Sequence, residues 1–148
     1  MDKIVVRRAQ HDDLKAMAAL LEELFEIEKD FTADFKKQLH GLELLLNLPT
    51  ACLFVAKANN RVVAMVSLQE LVSTAMGGSV GIIEDMIVTQ KFRGRGVGRE
   101  LFKALLLKSE ELGYARLSLG ADVRNSAAEE FYRGAGFEMS HMGLMYKK

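Results

Sequence analysis

The sequence predicts an α+β fold built on one mixed sheet, and three observations carry the prediction. Residues 51–58 and 61–72 are two strand-like apolar runs that meet at Asn59-Asn60, a pair suited to the positive φ angles of a tight hairpin turn. Residues 80–88 form a third such run, followed by a glycine-rich loop, an amphipathic helix and a further strand over 115–119. That strand–helix–strand crossover makes two strands parallel and neighbouring. Leucines and phenylalanines at helical spacing supply cover for both sheet faces.

The elements follow in order. Residues 3–8 (KIVVRR) are a short β-branched strand, with Arg7-Arg8 on a solvated face. Asp12 and Asp13 open the first helix, where carboxylates favour the positive end of the dipole. Leu14, Met17, Ala18, Leu21, Leu24 and Phe25 recur on its core face. A second helical pattern (Phe31, Phe35, Leu39, Leu42, Leu46) ends near Pro49, the single proline. After the 51–72 hairpin, the turn at residues 76–79 (MGGS) leads into the strand over 80–88. The third helix runs from about Gly96 to Leu112, stopped by Gly113. Ser126-Ala127-Ala128-Glu129 has the form of a capping box that starts a fourth helix. Gly134 and Gly136 end it, and residues 137–146 read as a last strand. The order is β-α-α-β-β-β-α-β-α-β, with no repeat and no second domain, so residues 1–148 are expected to be a single domain.

Composition excludes several classes. Twenty basic against twenty acidic residues gives zero net charge and no general attraction to nucleic acid. Cys52, the one cysteine, lies in an apolar strand and reads as a core thiol. His11, His40 and His141 are scattered without ligand spacing, so no metal is expected. No apolar run approaches membrane-span length and no signal peptide opens the chain, which makes a cytoplasmic protein the expectation.

Charge is concentrated in one place. Lys91, Arg93, Arg95 and Arg99 fall within nine residues that hold no acid, and Gly94, Gly96 and Gly98 alternate with them. Glycine lets consecutive N–H groups approach a ligand, and such a run at a helix N-terminus is a phosphate site. A Walker loop needs a Gly-Lys-Ser/Thr triplet that this chain lacks. The dinucleotide fingerprint fails because Arg99 occupies its third glycine position. What remains is Arg93-Gly94-Arg95-Gly96-Val97-Gly98, an R-x-x-G-x-G pattern between a strand and a helix. Residues 84–88 (EDMIV), Asn125 and the segment 131–137 (FYRGAGF) accompany it in order.

Together these motifs resemble the GNAT superfamily of N-acetyltransferases, and the element order agrees from residue 3 to the C-terminus. The resemblance implies a GNAT-like acyl-CoA N-acyltransferase fold that uses acetyl-CoA as co-substrate. It implies that Arg93, Gly94, Arg95, Gly96, Val97, Gly98 and Arg99 hold the pyrophosphate. Met86, Ile87 and Val88 would pair their backbone with the pantetheine arm, and Asn125 would bond that arm. Tyr132, in the "FY-x-x-x-GF" segment, would lie beside the sulfur.

Amide formation from a thioester needs a neutral amine, a polarised carbonyl and a proton for the thiolate. Glu84 is the expected base, because strict alternation puts it on the strand face of Met86 and Val88. A β-bulge would break that parity, so Asp85 is held in reserve. A backbone N–H around Ile87 is the expected oxyanion donor. The Tyr132 phenol, protonated at neutral pH, is the expected acid. The acceptor is a small-molecule or peptide amine that the sequence does not identify. The acidic stretch around Glu22 and Glu26 suits a cationic amine, and a solvated helix face explains it equally. An acyl-CoA-binding sensor without turnover is the alternative function. The apolar last strand leads to the expectation of a homodimer, through that strand or the hairpin 51–72.

Overall fold

The computed structural model describes residues 3–148. The chain forms two compact units, Met1–Ser118 and Leu119–Lys148. The first contains β1 (Ile4–Arg8), α1 (Leu14–Ile27), α2 (Phe35–Leu46), β2 (Ala51–Ala58), β3 (Arg61–Ser73), β4 (Gly78–Val88) and α3 (Val97–Glu111), and the short strand β5 (Leu117–Leu119) follows. The second contains α4 (Ser126–Gly134).

The five strands lie in the order β1-β2-β3-β4-β5. The first four are antiparallel neighbours. The hairpin between β2 and β3 turns on Asn59 (φ 49°) and Asn60 (φ 67°), the left-handed pair the sequence predicts. β5 runs parallel to β4: Ala115 N–H donates to Ser79 O at 3.0 Å and Gly81 N–H to Arg116 O at 2.9 Å, so both partners advance together. The crossover through α3 therefore forms as expected, and the sheet is mixed.

Strand alternation divides the core. Leu53, Val55, Met65 and Ile87 pack with Leu14, Met17, Leu21 and Leu42 beneath α1 and α2. The alternate residues Phe54, Ala56, Ala64, Val66 and Leu68 are buried too, and α3 packs on β2 and β3 with Leu101 and Leu105 fully enclosed. Truncating one such leucine to alanine costs roughly 2–5 kcal/mol.

Three expectations fail locally. Arg7 is not on a solvated face: its guanidinium donates to Asp13 at 2.7 and 3.2 Å. Burial pushes the Asp13 carboxyl up, but the Arg7 and Gln10 hydrogen bonds outweigh it and hold the carboxyl below its ordinary value. Ser126 is not the cap of α4; Asn125 is, its Oδ1 accepting from Ala128 N–H at 3.1 Å. The strand over 137–146 does not form. Residues 138–148 are exposed throughout, Met142, Leu144 and Met145 among them, so the period-two burial that stabilises a strand is missing. Gly143 and the Ser140-His141 pair interrupt its apolar run further.

Candidate active site

β4 is irregular where the expected catalytic carboxylates sit. Ser67 faces Glu84 and Met65 faces Ile87, so the single residue Val66 opposes both Asp85 and Met86. This is a β-bulge, and its first residue, Asp85, has φ +57°. The Ser67 hydroxyl donates to Glu84 O at 3.0 Å beside it. The bulge overturns the parity argument for Glu84. Ser67 and Met65 share a face, so Glu84 shares the face of Ile87 rather than that of Met86 and Val88. Glu84 is exposed, whereas Asp85 is half-buried. Burial, and then the neighbouring Glu84 charge, push the Asp85 carboxyl up to about 6.

Past the bulge the ladder resumes, with Thr89 N–H donating to Val63 O at 2.8 Å. In an antiparallel pair the hydrogen-bonded positions alternate, so Ile87 exchanges its N–H and C=O with Met65. The N–H groups of Met86 and Val88 face away from β3. Ile87 N–H, the expected oxyanion donor, is engaged in this ladder.

The glycine loop has the backbone of an anion cradle. Gly94 (φ 73°) and Gly96 (φ 81°) are left-handed, and Gly96 caps α3. Six consecutive N–H groups, from Gly94 to Arg99, find no acceptor among the described residues. The first backbone bond of the helix is Glu100 N–H to Gly96 O at 3.1 Å. An added Cβ at Gly94 or Gly96 would meet nothing, so glycine is needed there for its dihedral angle, not for space. Buried Val97 anchors the helix start while the loop around it stays exposed. Such a row of amides at a helix N-terminus binds phosphate.

Two of the loop arginines have partners within the chain. Arg93 commits Nε to Val88 O at 2.8 Å and Nη2 to Glu23 Oε1 at 2.9 Å. Arg95 lies over the Phe92 ring, 5.2 Å from its centroid. Arg99 is exposed on the first turn of α3. Glu23, on α1, also accepts from Thr89 Oγ1 and from Gln90 N–H, each at 2.9 Å. Sequence reasoning passed over Glu23, dwelling on Glu22 and Glu26, both of which are exposed. The available signal was its place between core residues Leu20, Leu21 and Leu24, on the inward side of the helix.

In the second unit, Asn125 caps α4 as described. Tyr132, on α4, is half-buried between aromatic rings: Phe131 at 5.5 Å and Phe137 at 6.3 Å, both edge-on. Phe137 N–H donates to Tyr132 O at 3.0 Å, which folds the chain after Gly136 back onto the helix. Among the described residues no group of three His, Cys, Asp or Glu side chains is placed to hold a metal ion.

Known proteins share this architecture. The chain is 26% identical over 136 residues to an aminoalkylphosphonate N-acetyltransferase of Salmonella typhimurium, covering 92% of this chain and 86% of that one. Its fold matches that of a transcriptional regulator from Bacillus halodurans C-125 with a TM-score of 0.87 at 22% identity, over 99% of this chain and 100% of that one. It matches an aminoglycoside N-acetyltransferase, AAC(6')-Iy, in complex with CoA, with a TM-score of 0.85 at 18% identity, over 100% and 96% of the two chains. Residues 15–137 match the Acetyltransferase (GNAT) family. With a bulged strand leading into an amide cradle at a helix mouth, and that match across most of its length, the chain belongs to the GNAT acetyltransferase family.

Proposed function

We propose that residues 1–148 act as a single N-acetyltransferase domain, moving the acetyl group of acetyl-CoA directly to a primary amine. The observation that carries this reading is the run of six unpartnered N–H groups at 94–99, directly after the bulged strand. The cradle takes the pyrophosphate of acetyl-CoA, with the exposed Arg99 adding charge. The outward backbone of Met86 and Val88 receives the pantetheine arm as an added strand. The role of the Asn125 amide toward that arm rests on the family resemblance alone.

The amine nitrogen attacks the thioester carbonyl, and an outward N–H of Met86 or Val88 stabilises the oxyanion. The bulge carboxylates supply the base. Burial and a pKa near 6 favour Asp85 over Glu84 for this role, since a base works best when it titrates near the operating pH. Glu84 then acts through its charge, which keeps Asp85 basic. As the C–S bond breaks, the Tyr132 phenol gives its proton to the departing thiolate. That assignment rests on the "FY-x-x-x-GF" resemblance.

The relative that acts on aminoalkylphosphonates supports a small primary amine as acceptor, although a peptide amine fits the same chemistry. A cytoplasmic site of action and a homodimer belong to the same proposal. For the first, no helix among the described residues is long and apolar enough to cross a membrane. For the second, Met142, Leu144 and Met145 are exposed near the C-terminus. Light scattering that gave a mass near the 16.5 kDa monomer across micromolar concentrations would remove the dimer.

The test of the function is an amine panel, aminoalkylphosphonates included, with free thiol as readout. Acetyl-CoA-dependent thiol release with one amine class supports the transferase. Tight CoA binding with no thiol release from any amine would favour an acyl-CoA sensor instead.

A further inference from the structure

We infer that Glu23 is a positioning residue for the pyrophosphate cradle, clamping the end of β4 and the loop after it onto α1. The inference rests on the reading of 94–99 as the CoA site and adds a residue that no motif includes.

The geometry is specific. One carboxylate accepts from three groups of a five-residue stretch: Thr89 Oγ1, Gln90 N–H and Arg93 Nη2, all at 2.9 Å. Arg93 then reaches back to Val88 O through Nε at 2.8 Å. The clamp therefore closes a ring that runs from the strand end through Glu23 to the residue just before Gly94. The short 3₁₀ turn at Gln90–Phe92 lies inside this ring. Among the described residues its backbone is otherwise held by Phe92 N–H on Thr89 O at 2.9 Å and Arg93 N–H on Gln90 O at 3.3 Å.

Gly94 and Gly96 give the unbound loop a freedom that binding must remove, which is costly unless the entry to the loop is already fixed. Glu23 fixes it. Its backbone is anchored by buried neighbours, Leu20, Leu21 and Leu24, so its carboxylate is held by the core rather than by the loop it restrains. Arg93 then serves mainly as the second arm of the clamp, and only secondarily as a phosphate ligand.

Calorimetric titration of the full chain with CoA tests this. Glu23→Ala is expected to weaken CoA binding about tenfold, the scale of losing charge-assisted hydrogen bonds, with the binding stoichiometry unchanged. Glu23→Gln keeps one carbonyl oxygen, in place of Oε1, for Gln90 N–H and Arg93 Nη2, but loses the charge and the Oε2 acceptor of Thr89 Oγ1, and should fall between Glu23→Ala and the native chain. Adding Arg93→Ala to Glu23→Ala should cost less than Arg93→Ala does alone, because the two act through one clamp. A merely structural role would lower the stoichiometry and leave the affinity of the remaining sites intact. That result, or native affinity in Glu23→Ala, overturns the inference. If Gly96→Val leaves CoA binding unchanged, the reading of the loop fails. If Gly96→Val abolishes binding while Glu23→Ala binds like the native chain, only the role of Glu23 fails.

Discussion

The bulge at Asp85-Met86 and the loop at Gly94–Arg99 lie within fifteen residues of each other, and both leave regular backbone geometry. They do so with opposite residues. The loop places glycines at φ 73° and 81°, where glycine carries no steric penalty. The bulge places an aspartate at φ +57°, a conformation that costs an L-residue roughly 1–2 kcal/mol, less for Asp than for most. Where only the backbone is needed, the side chain is absent. Where a strained residue keeps its side chain, that side chain is half-buried and its carboxyl titrates near 6. The comparison predicts that loop variants change binding and bulge variants change rate.

The strongest challenge to that division is Gly96→Val. A β-branched residue resists the left-handed region, so the cradle should open and CoA affinity should fall by about 100-fold or more. Thermal stability should fall too, by roughly 1–3 kcal/mol, because φ +81° strains a branched side chain even where an added Cβ meets no atom. Calorimetry reads the first effect and circular dichroism the second.

Asp85→Asn is the counterpart at the bulge. Asparagine accepts the left-handed angle and cannot take a proton, so kcat should fall about 100-fold with CoA affinity preserved. The same variant should be more stable at neutral pH. Folding raises the Asp85 pKa from the ordinary 3.8 to about 6, so the fold prefers the protonated acid. The stability associated with this group is full below pH 3.8 and is lost as pH rises through about 6. The substituted amide never ionises and should recover on the order of 2 kcal/mol at pH 7. Denaturant unfolding at pH 4 and pH 7 measures the difference; equal gains at both would remove the buried-charge explanation.

Tyr132→Phe extends the comparison to α4. Loss of the phenol should lower kcat about tenfold and leave the KM for acetyl-CoA near its native value. A raised KM with native kcat would make Tyr132 a binding residue.

The smallest effect belongs to Glu84→Gln. The Glu84 charge is the second cause of the raised Asp85 pKa, after burial, so the acidic limb of the pH–rate profile should move to lower pH by less than about one unit. If the limb vanishes instead, Glu84 is the base.

What the sequence made legible follows from how local each signal is. The Asn59-Asn60 turn, the Gly113 stop and the glycine loop are written in adjacent residues, and all three form as read. The bulge was foreseeable only as a possibility, because it is defined by two strands: Val66 opposite Asp85 and Met86. Glu23 meets residues that follow it by 66 to 70 positions, a distance over which no spacing rule operates. The last strand is expected from apolar content, and Met142, Leu144 and Tyr146 even alternate, but residues 138–148 are exposed at both parities, so no buried face rewards the pairing. The cap of α4 was misplaced by one residue, because Asn125 and Ser126 are both good caps and the backbone turn chose the first.

That choice of cap has a chemical consequence. Asn125 turns its oxygen inward to Ala128 N–H, which leaves its amide NH₂ as the end of the side chain that a visitor can meet. Toward any ligand Asn125 is therefore a donor, and what it recognises must be an acceptor, such as the carbonyl of an amide. Aspartate at the same position would cap the helix equally well and add favourable charge at its N-terminus, yet it would present only acceptors. A helix start that tolerates Asn, Asp, Ser or Thr on folding grounds thus excludes aspartate once a carbonyl has to be held there, and favours the amide, which reaches further than a hydroxyl and brings two donors.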